Sequence, residues 1–254
     1  MVNMKQLIHI AEEAGRLIMS LYKQTSIVMK TKRDNSIVTR ADMAAHDYIF
    51  AALTALYPSV PIISEELVSQ VDYVKRKKWT CFFLIDPLDG TKEFIQNNDE
   101  FTVNIALVKK DQPLLGIIHA PALDVTYYAE KNKGAYKIIN NSIIKLFSQP
   151  KTSNKLRVVT SRSHICSKTQ AFLNTLAFQG KEMTITAVGS ALKFGLVAEG
   201  SADVYPRLAP TMEWDTAAGQ IIVGEVGKQV MKLGSDEQLK YNKMELVNPG
   251  FVVK

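Results

Sequence analysis

The sequence predicts a mixed protein in two parts, an α+β half followed by an α/β half. Three observations predict it. Apolar residues near the start recur at helical spacing, the stretch over 102–146 breaks into short strands, and beyond residue 155 strand-like and helix-like segments take turns.

Leu7, Ile10, Ala11, Ala14, Leu17, Ile18 and Leu21 fall at steps of three and four, with Lys5, Glu12, Glu13 and Arg16 elsewhere. That is an amphipathic helix over the first twenty residues. Its polar face mixes both charge signs, which favours a sheet over a lipid surface as the neighbour. A second helix is expected over 41–57, stopped by Pro58. Short apolar strands follow over 60–63 and 81–85. Five more are expected over 102–108, 114–119, 125–130, 135–139 and 142–146, joined by turn-forming residues such as Asp111, Pro113, Asp124, Gly134 and Asn141. This reads as an antiparallel meander on helices.

The polar, turn-rich stretch 148–154 marks the expected boundary, dividing the chain into residues 1–150 and 151–254. Beyond it, strands are expected over 156–160, 183–188 and 203–205, and helices over 168–178, 191–199 and 215–226. No internal repeat is visible.

Of the 254 residues, 46% are hydrophobic and 22% charged, a globular balance that excludes extended disorder. Lys and Arg number 31 against 25 Asp and Glu, and the net charge of +6 favours anionic partners. A nucleotide, an RNA and a phospholipid surface would all respond to it. Lys75-Arg76-Lys77-Lys78 lacks interleaved aromatics and reads as solvated surface, so nucleic acid is not an expected partner. Cys81 and Cys166 cannot build a disulfide framework, which points to a reducing, cytoplasmic compartment. No transmembrane segment is expected, and the opening segment, with Glu12 and Glu13, does not read as a signal peptide.

The chemistry concentrates in acids. Asp86-Pro87-Leu88-Asp89-Gly90-Thr91 follows an apolar strand, where strand ends in α/β proteins place ligand sites. Two carboxylates on a turn stiffened by Pro87 and freed by Gly90 can face one cavity, where they repel unless a cation joins them. Ser64-Glu65-Glu66 ends another short strand, and Trp214-Asp215-Thr216-Ala217-Ala218-Gly219 opens a small-residue helix. Each alone has an ordinary explanation: a polar loop, a decorated surface, a helix cap. Together Glu65, Asp86, Asp89 and Asp215 form a candidate four-carboxylate site, and hard oxygen donors of this kind suit Mg²⁺ acting on a phosphate. No zinc-like Cys/His spacing and no phosphate-binding G-x-x-x-x-G-K-[ST] loop appears. His9, His46, His119 and His164 are scattered, which disfavours a nucleophilic triad.

These three acidic segments, in this order and spacing, resemble the signatures of the lithium-sensitive, Mg²⁺-dependent inositol monophosphatase superfamily. Asp34-Asn35-Ser36-Ile37-Val38-Thr39-Arg40-Ala41-Asp42 is similar to the family's segment before its second helix. Within the family the likeness is nearest to the bacterial 3'(2'),5'-bisphosphate nucleotidases. It is carried by Phe94-Ile95, Phe101-Thr102-Val103-Asn104, Ser161-Arg162-Ser163-His164, Gly189-Ser190-Ala191-Leu192-Lys193-Phe194 and Asn248-Pro249-Gly250-Phe251. The resemblance implies a five-layer α/β/α/β/α sandwich with the site between the halves. It implies that Glu65, Asp86 and the Leu88 carbonyl hold one Mg²⁺ and that Asp86, Asp89 and Asp215 hold a second, with a third held more weakly. Asp42 and Thr91 would help deprotonate the attacking water, with Glu65 among the catalytic groups. Glu65, Leu88, Asp89, Gly90, Thr91 and Asp215 would line the substrate, Ser190, Lys193 and Arg207 would bind its uncleaved phosphate, and His164 would lie against the base.

Three positions depart from the branch. Ala191 stands where a second serine is common, Glu213 where an apolar residue is common, and Gly227-Lys228 replaces Gly-Gly. None is an implied metal ligand. The implied activity is hydrolysis of adenosine 3',5'-bisphosphate to AMP, and of its sulfated analogue, recycling a by-product of sulfate assimilation. An inositol monophosphatase or broad sugar-phosphate phosphatase stays open as an alternative, as does a non-catalytic nucleotide-sensing or RNA-binding protein. Oligomeric state and peripheral association with the inner membrane's cytoplasmic face also stay open.

Overall fold

The computed structural model describes residues 2–24, 29–31, 37–147, 155–163, 167–178 and 182–254. The expected boundary at 148–154, the segment Asp34-Asn35-Ser36, Cys166 and His164 lie outside them.

Helix α1 (Met4–Leu21) starts at Asn3, whose side chain accepts from the Lys5 N–H, and buries Leu7, Ile10, Ala11, Ala14 and Ile18 of the predicted stripe, while Leu17 is exposed. A hairpin of β1 (Met29–Thr31) and β2 (Ile37–Thr39) leads to α2 (Arg40–Leu56). Then come β3 (Ile62–Ser64), a 3₁₀ turn (Glu65–Gln70), α3 (Tyr73–Arg76), β4 (Cys81–Asp89) and α4 (Thr91–Ile95). The predicted meander follows as β5 (Thr102–Lys109), β6 (Gln112–Ala120), β7 (Val125–Glu130), β8 (Gly134–Ile139) and β9 (Ser142–Lys145). These strands form one seven-stranded sheet in the order β3-β4-β5-β6-β7-β8-β9, antiparallel throughout except for the parallel β3–β4 pair.

The two faces of that sheet follow from the pleat, which sends alternate side chains to opposite sides. Phe83, Ile85, Val103, Ile105 and Ile117 pack under α1 and α2. Phe82, Leu84, Ala106, Val108 and Ile118 join the opposite core.

That core is capped by α6 (Leu192–Ala198) and α7 (Glu213–Gly224), which come after β10 (Leu156–Ser161), α5 (Ser167–Phe178) and β11 (Met183–Val188). The remaining strands are β12 (Tyr205–Arg207), β13 (Thr211–Met212), β14 (Val230–Lys232), β15 (Val247–Asn248) and β16 (Phe251–Val253). Helix α7 lies directly on the sheet: a Cβ on Gly116 of β6 would stand 2.6 Å from the Ala218 carbonyl, so only glycine fits.

A second sheet backs α6 and α7. In it β10 and β11 run parallel, a bridge from Val158 to Val204 links them to β12, and β12-β16-β14 continue antiparallel. Leu173 of α5 packs on its far side with Leu156 and Val158. Helices, sheet, helices, sheet and helix make five layers.

Several boundaries move from their predicted places. Strand β4 runs four residues past the expected 81–85, and the strand expected over 203–205 is Tyr205–Arg207. The helix expected over 215–226 starts at Glu213, which brings Asp215 inside its first turn. Alternation of strand and helix holds for β10–α5–β11, but the later strands pair antiparallel in two- and three-residue pieces too short to show a period. Among the described residues, no helix is long and apolar enough to cross a membrane.

Candidate active site

Asp89 lies three positions after Asp86, a spacing that in a regular strand sends the two side chains to opposite faces. The structure cancels that. Asp86 pairs with Asn104 and Asp89 with Thr102, so two β4 residues, Pro87 and Leu88, oppose the single Val103 of β5. This bulge returns Asp89 to the face of Asp86, Leu84 and Phe82, toward the N-terminus of α7. Proline is tolerated there because the bulge needs no ladder donor from it. The sequence reading placed a turn here; the segment is a bulged strand end.

Glu65 follows β3 at the same end of the sheet. The backbone before it is pinned by His46 Nδ1 on α2, 2.8 Å from Ser64 Oγ. Asp215, third residue of α7, accepts from the Met212 N–H at 2.8 Å and so caps its own helix. The Leu88 N–H donates to Asp86 Oδ1 at 3.1 Å, and the Asn104 amide donates to Asp89 Oδ2 at 3.3 Å.

These donors do not match the negative charge collected. Removal from water raises the pKa of Asp86 well above the carboxylate range, and repulsion from Glu65, Asp89, Asp215 and Asp42 raises it further. Burial pushes Asp89 up to about 6, against the pull of Lys193 and Asn104. Asp215 is raised by burial first and by Asp89 next. Among the described residues, no three His, Cys, Asp or Glu side chains close into a ready-made metal cage. Mg²⁺ does not ask for one, since it keeps several waters and takes one or two carboxylates plus substrate oxygens. Hard oxygen donors that repel one another fit that ion.

Beside the acids sits a hydroxyl–carboxylate pair. Thr91 Oγ1 donates to Asp42 Oδ1 at 3.1 Å and lies 3.3 Å from the Leu88 carbonyl. The other Asp42 oxygen accepts from the Thr39 N–H at 2.7 Å and from its hydroxyl at 2.6 Å, closing a capping box on α2. Burial raises the Asp42 pKa more than these bonds lower it. Gly90 precedes Thr91 at φ 91°, in the left-handed region that favours glycine. A Cβ there would meet the Glu100 carbonyl at 3.2 Å and Ser190 Cβ at 3.3 Å. The Ser190 turn of the second half therefore packs against the Gly90 turn of the first.

The cations lie on the Ser190 side. Lys193 is buried, and its ammonium donates to the Val188 carbonyl at 3.0 Å and to that of Ser190. Two of its three protons thus hold the turn in which Ser190 adopts φ 47°. Burial lowers the Lys193 pKa to about 8, with Asp89 opposing and Arg207 assisting. Arg207 has one bond, from Nη2 to the Pro210 carbonyl at 3.3 Å, and its buried Nε has no partner among the described residues.

The sequence reading passed over several supports. Asn104 and Thr102 are polar at successive inward positions of an otherwise apolar strand, which was the available signal. Glu100 grips Arg162 through two bonds of 2.8 and 2.7 Å and accepts from the Gly189 N–H at 2.7 Å, fixing the Ser190 turn. Glu213, noted only as a departure, is fully buried. It accepts from the Asn242 and Lys243 N–H groups at 2.6 and 3.0 Å and from Lys243 Nζ at 2.6 Å. A buried acid needs such partners.

Carboxylates that repel one another, with the buried Lys193 and the half-buried Arg207 on the neighbouring side, suit one class: a cation-dependent hydrolase of phosphate esters. The chain belongs to the inositol monophosphatase family, whose model matches residues 3–250, and that family is generally Mg²⁺-dependent. It is 42% identical over 250 residues to the 3'(2'),5'-bisphosphate nucleotidase CysQ of Escherichia coli (strain K12), covering 98% of each chain. To the enzyme of the same name from Aggregatibacter actinomycetemcomitans it is 41% identical, over 98% of this chain and 91% of that one. Among solved structures, CysQ from Bacteroides thetaiotaomicron superposes with a TM-score of 0.86 at 38% identity, covering 98% and 96% of the two chains. Thermotoga maritima IMPase gives a TM-score of 0.79 at 25% identity, covering 98% and 90%.

Proposed function

We propose that this protein hydrolyses adenosine 3',5'-bisphosphate to AMP and phosphate, and removes the 3'-phosphate of 3'-phosphoadenylyl sulfate, recycling a by-product of sulfate assimilation. The observation that carries the reading is the meeting of two unlike ends in one site. A carboxylate cluster suited to Mg²⁺ faces Lys193 and Arg207, with Asp89 in the field of Lys193 and Asp215 in that of Arg207. A substrate with one phosphate needs only the first end.

Glu65, Asp86, the Leu88 carbonyl, Asp89 and Asp215 would hold two Mg²⁺ ions, with a third more weakly held. Bound there, Mg²⁺ offsets the phosphate's charge and acidifies the attacking water. The chain does the rest. Thr91 already donates its proton to Asp42, so its oxygen is turned to accept the attacking water's proton as its own passes to Asp42. The raised pKa of Asp42 makes it the better base. The Gly90 and Thr91 N–H groups face the scissile phosphate beside the Ser190 turn. Ser190, Arg207 and the remaining N–H of Lys193 take the uncleaved phosphate, Arg207 through a planar pair of donors. His164 is assigned to the base. Residues 1–150 supply most of the metal ligands, and 151–254 supply Asp215 and the nucleotide contacts. We place the enzyme in the cytoplasm, where its thiols stay reduced.

The test is phosphate release with Mg²⁺ from adenosine 3',5'-bisphosphate and from inositol monophosphate. Preference for the nucleotide is expected; preference for the inositol ester would overturn the assignment.

A further inference from the structure

Four tyrosines are buried in the described residues: Tyr22, Tyr127, Tyr205 and Tyr241. Three have partnered hydroxyls. Tyr22 donates to Asp99, Tyr127 to Glu199, and Tyr241 to Gln220 at 3.0 Å and Thr216 at 3.3 Å. Tyr205 is 4% exposed, and among the described residues its hydroxyl has no partner. That oxygen is not among the buried side-chain atoms left without a partner, so it opens onto accessible space, where it can donate to a bound molecule.

The surroundings say where that place is. Tyr205 and Arg207 are two apart on β12 and share a face. The Tyr205 ring is fixed edge-on to Phe194 at 5.3 Å and to Phe251 at 5.6 Å, and Lys193 Nζ lies 5.3 Å from its centroid. The charges acting on the phenol are those of Arg207, Asp89 and Asp215. It shares a strand face with the cation assigned to the retained phosphate, and lies within electrostatic reach of the carboxylates assigned to the scissile one. In a nucleoside bisphosphate, the group that spans those two positions is the sugar.

We propose that the Tyr205 hydroxyl donates a hydrogen bond to an oxygen of the substrate's sugar, making Tyr205 a substrate-contacting residue that selects nucleotides over simpler phosphate esters. The inference rests on the nucleotidase reading. A rigid, wedged ring can offer its donor without ordering a flexible chain, which suits a contact that sets orientation.

Tyr205→Phe removes the hydroxyl and keeps the ring. Three substrates separate the outcomes: adenosine 3',5'-bisphosphate, adenosine 3'-phosphate with a sugar but one phosphate, and para-nitrophenyl phosphate with no sugar. The expected result is a loss in kcat/KM of about three- to tenfold on both nucleotides and none on the nitrophenyl ester. The ratio between substrates does not depend on the folded fraction, so a less stable variant still answers the question. A loss confined to the bisphosphate would put the phenol on the retained phosphate, an equal loss on all three would make it structural, and no loss would remove the contact; each overturns the proposal. Wild-type enzyme that prefers inositol monophosphate would overturn the nucleotidase reading and this inference together, and is seen before any variant is made.

Discussion

The two ends of the site handle charge in opposite ways. At the acidic end, Asp86, Asp89 and Asp215 draw on one Leu88 N–H, one Asn104 amide and one Met212 N–H, and all three are driven toward their protonated forms. At the basic end, Lys193 spends two donors on main-chain carbonyls and rests against the Tyr205 ring, so most of its charge is answered before any substrate arrives. The first end is incomplete by construction. The second is built, with Lys193 as a girder for the Ser190 turn and Arg207 as the cation with donors to spare. Charge left unanswered marks where a ligand enters, and charge already answered marks where the fold is held.

Asp86→Asn should have the largest effect. If the acidic end exists to collect cations, the variant should lose activity by about a thousandfold or more, since a lost ligand removes both water activation and leaving-group stabilisation. Its far-ultraviolet circular dichroism should match the wild type. Near-native turnover, or full wild-type activity in EDTA, would disprove the metal role.

Next comes the relay between the ends. Thr91→Ala leaves the acids in place and removes the hydroxyl that donates to Asp42. A hundredfold or greater fall in kcat, with a small change in KM, is the expectation for losing a general acid–base link of about 10²–10⁴. A change in KM alone would restrict Thr91 to binding.

The basic end gives a smaller, selective effect. Arg207→Ala should lower kcat/KM on adenosine 3',5'-bisphosphate by about ten- to a hundredfold, the size of a charged hydrogen bond worth roughly 1.5–3 kcal/mol. A monophosphate ester should change much less. Equal losses on both substrates would mean that Arg207 supports the fold rather than the second phosphate.

The smallest expected effect is on stability as a function of pH. Burial pushes the Asp89 carboxyl up to about 6, against 3.8 for an ordinary aspartate. Because the folded value is raised, the unfolded chain releases this proton first, and the metal-free protein loses stability as pH rises from about 4 to about 6. Asp89→Asn removes that loss. In EDTA the variant should melt alongside the wild type near pH 4 and a few degrees above it near pH 7, with about 2–4 °C for each kcal/mol. A difference that shrinks as pH rises would reverse the sign and the argument.

Much of the frame was legible. The α1 stripe repeats at three and four residues because one face meets the sheet, and the meander strands are long enough to show their alternation. The pairing of Asp42 with Thr91 came only from the family resemblance, since nothing local to Asp42 points to a residue 49 positions away. The short strands β12 to β16 hold two or three residues each, and no period can be read from so few.

Residue type and local order determined that four acids end strands or begin a helix, that Gly90 takes a left-handed turn, and that oxygen donors of this kind call for a hard cation. Tertiary structure decided which way those groups point and which are already used. The bulge that turns Asp89 to the face of Asp86 exists only in the register with β5. The burial of Glu213 makes sense only with Lys243 folded back on it, and Lys193 is a girder because two carbonyls reach it. Side-chain chemistry is local and travels with the sequence, whereas direction, burial and partnership are set by segments far apart in the chain, which meet only when the layers pack.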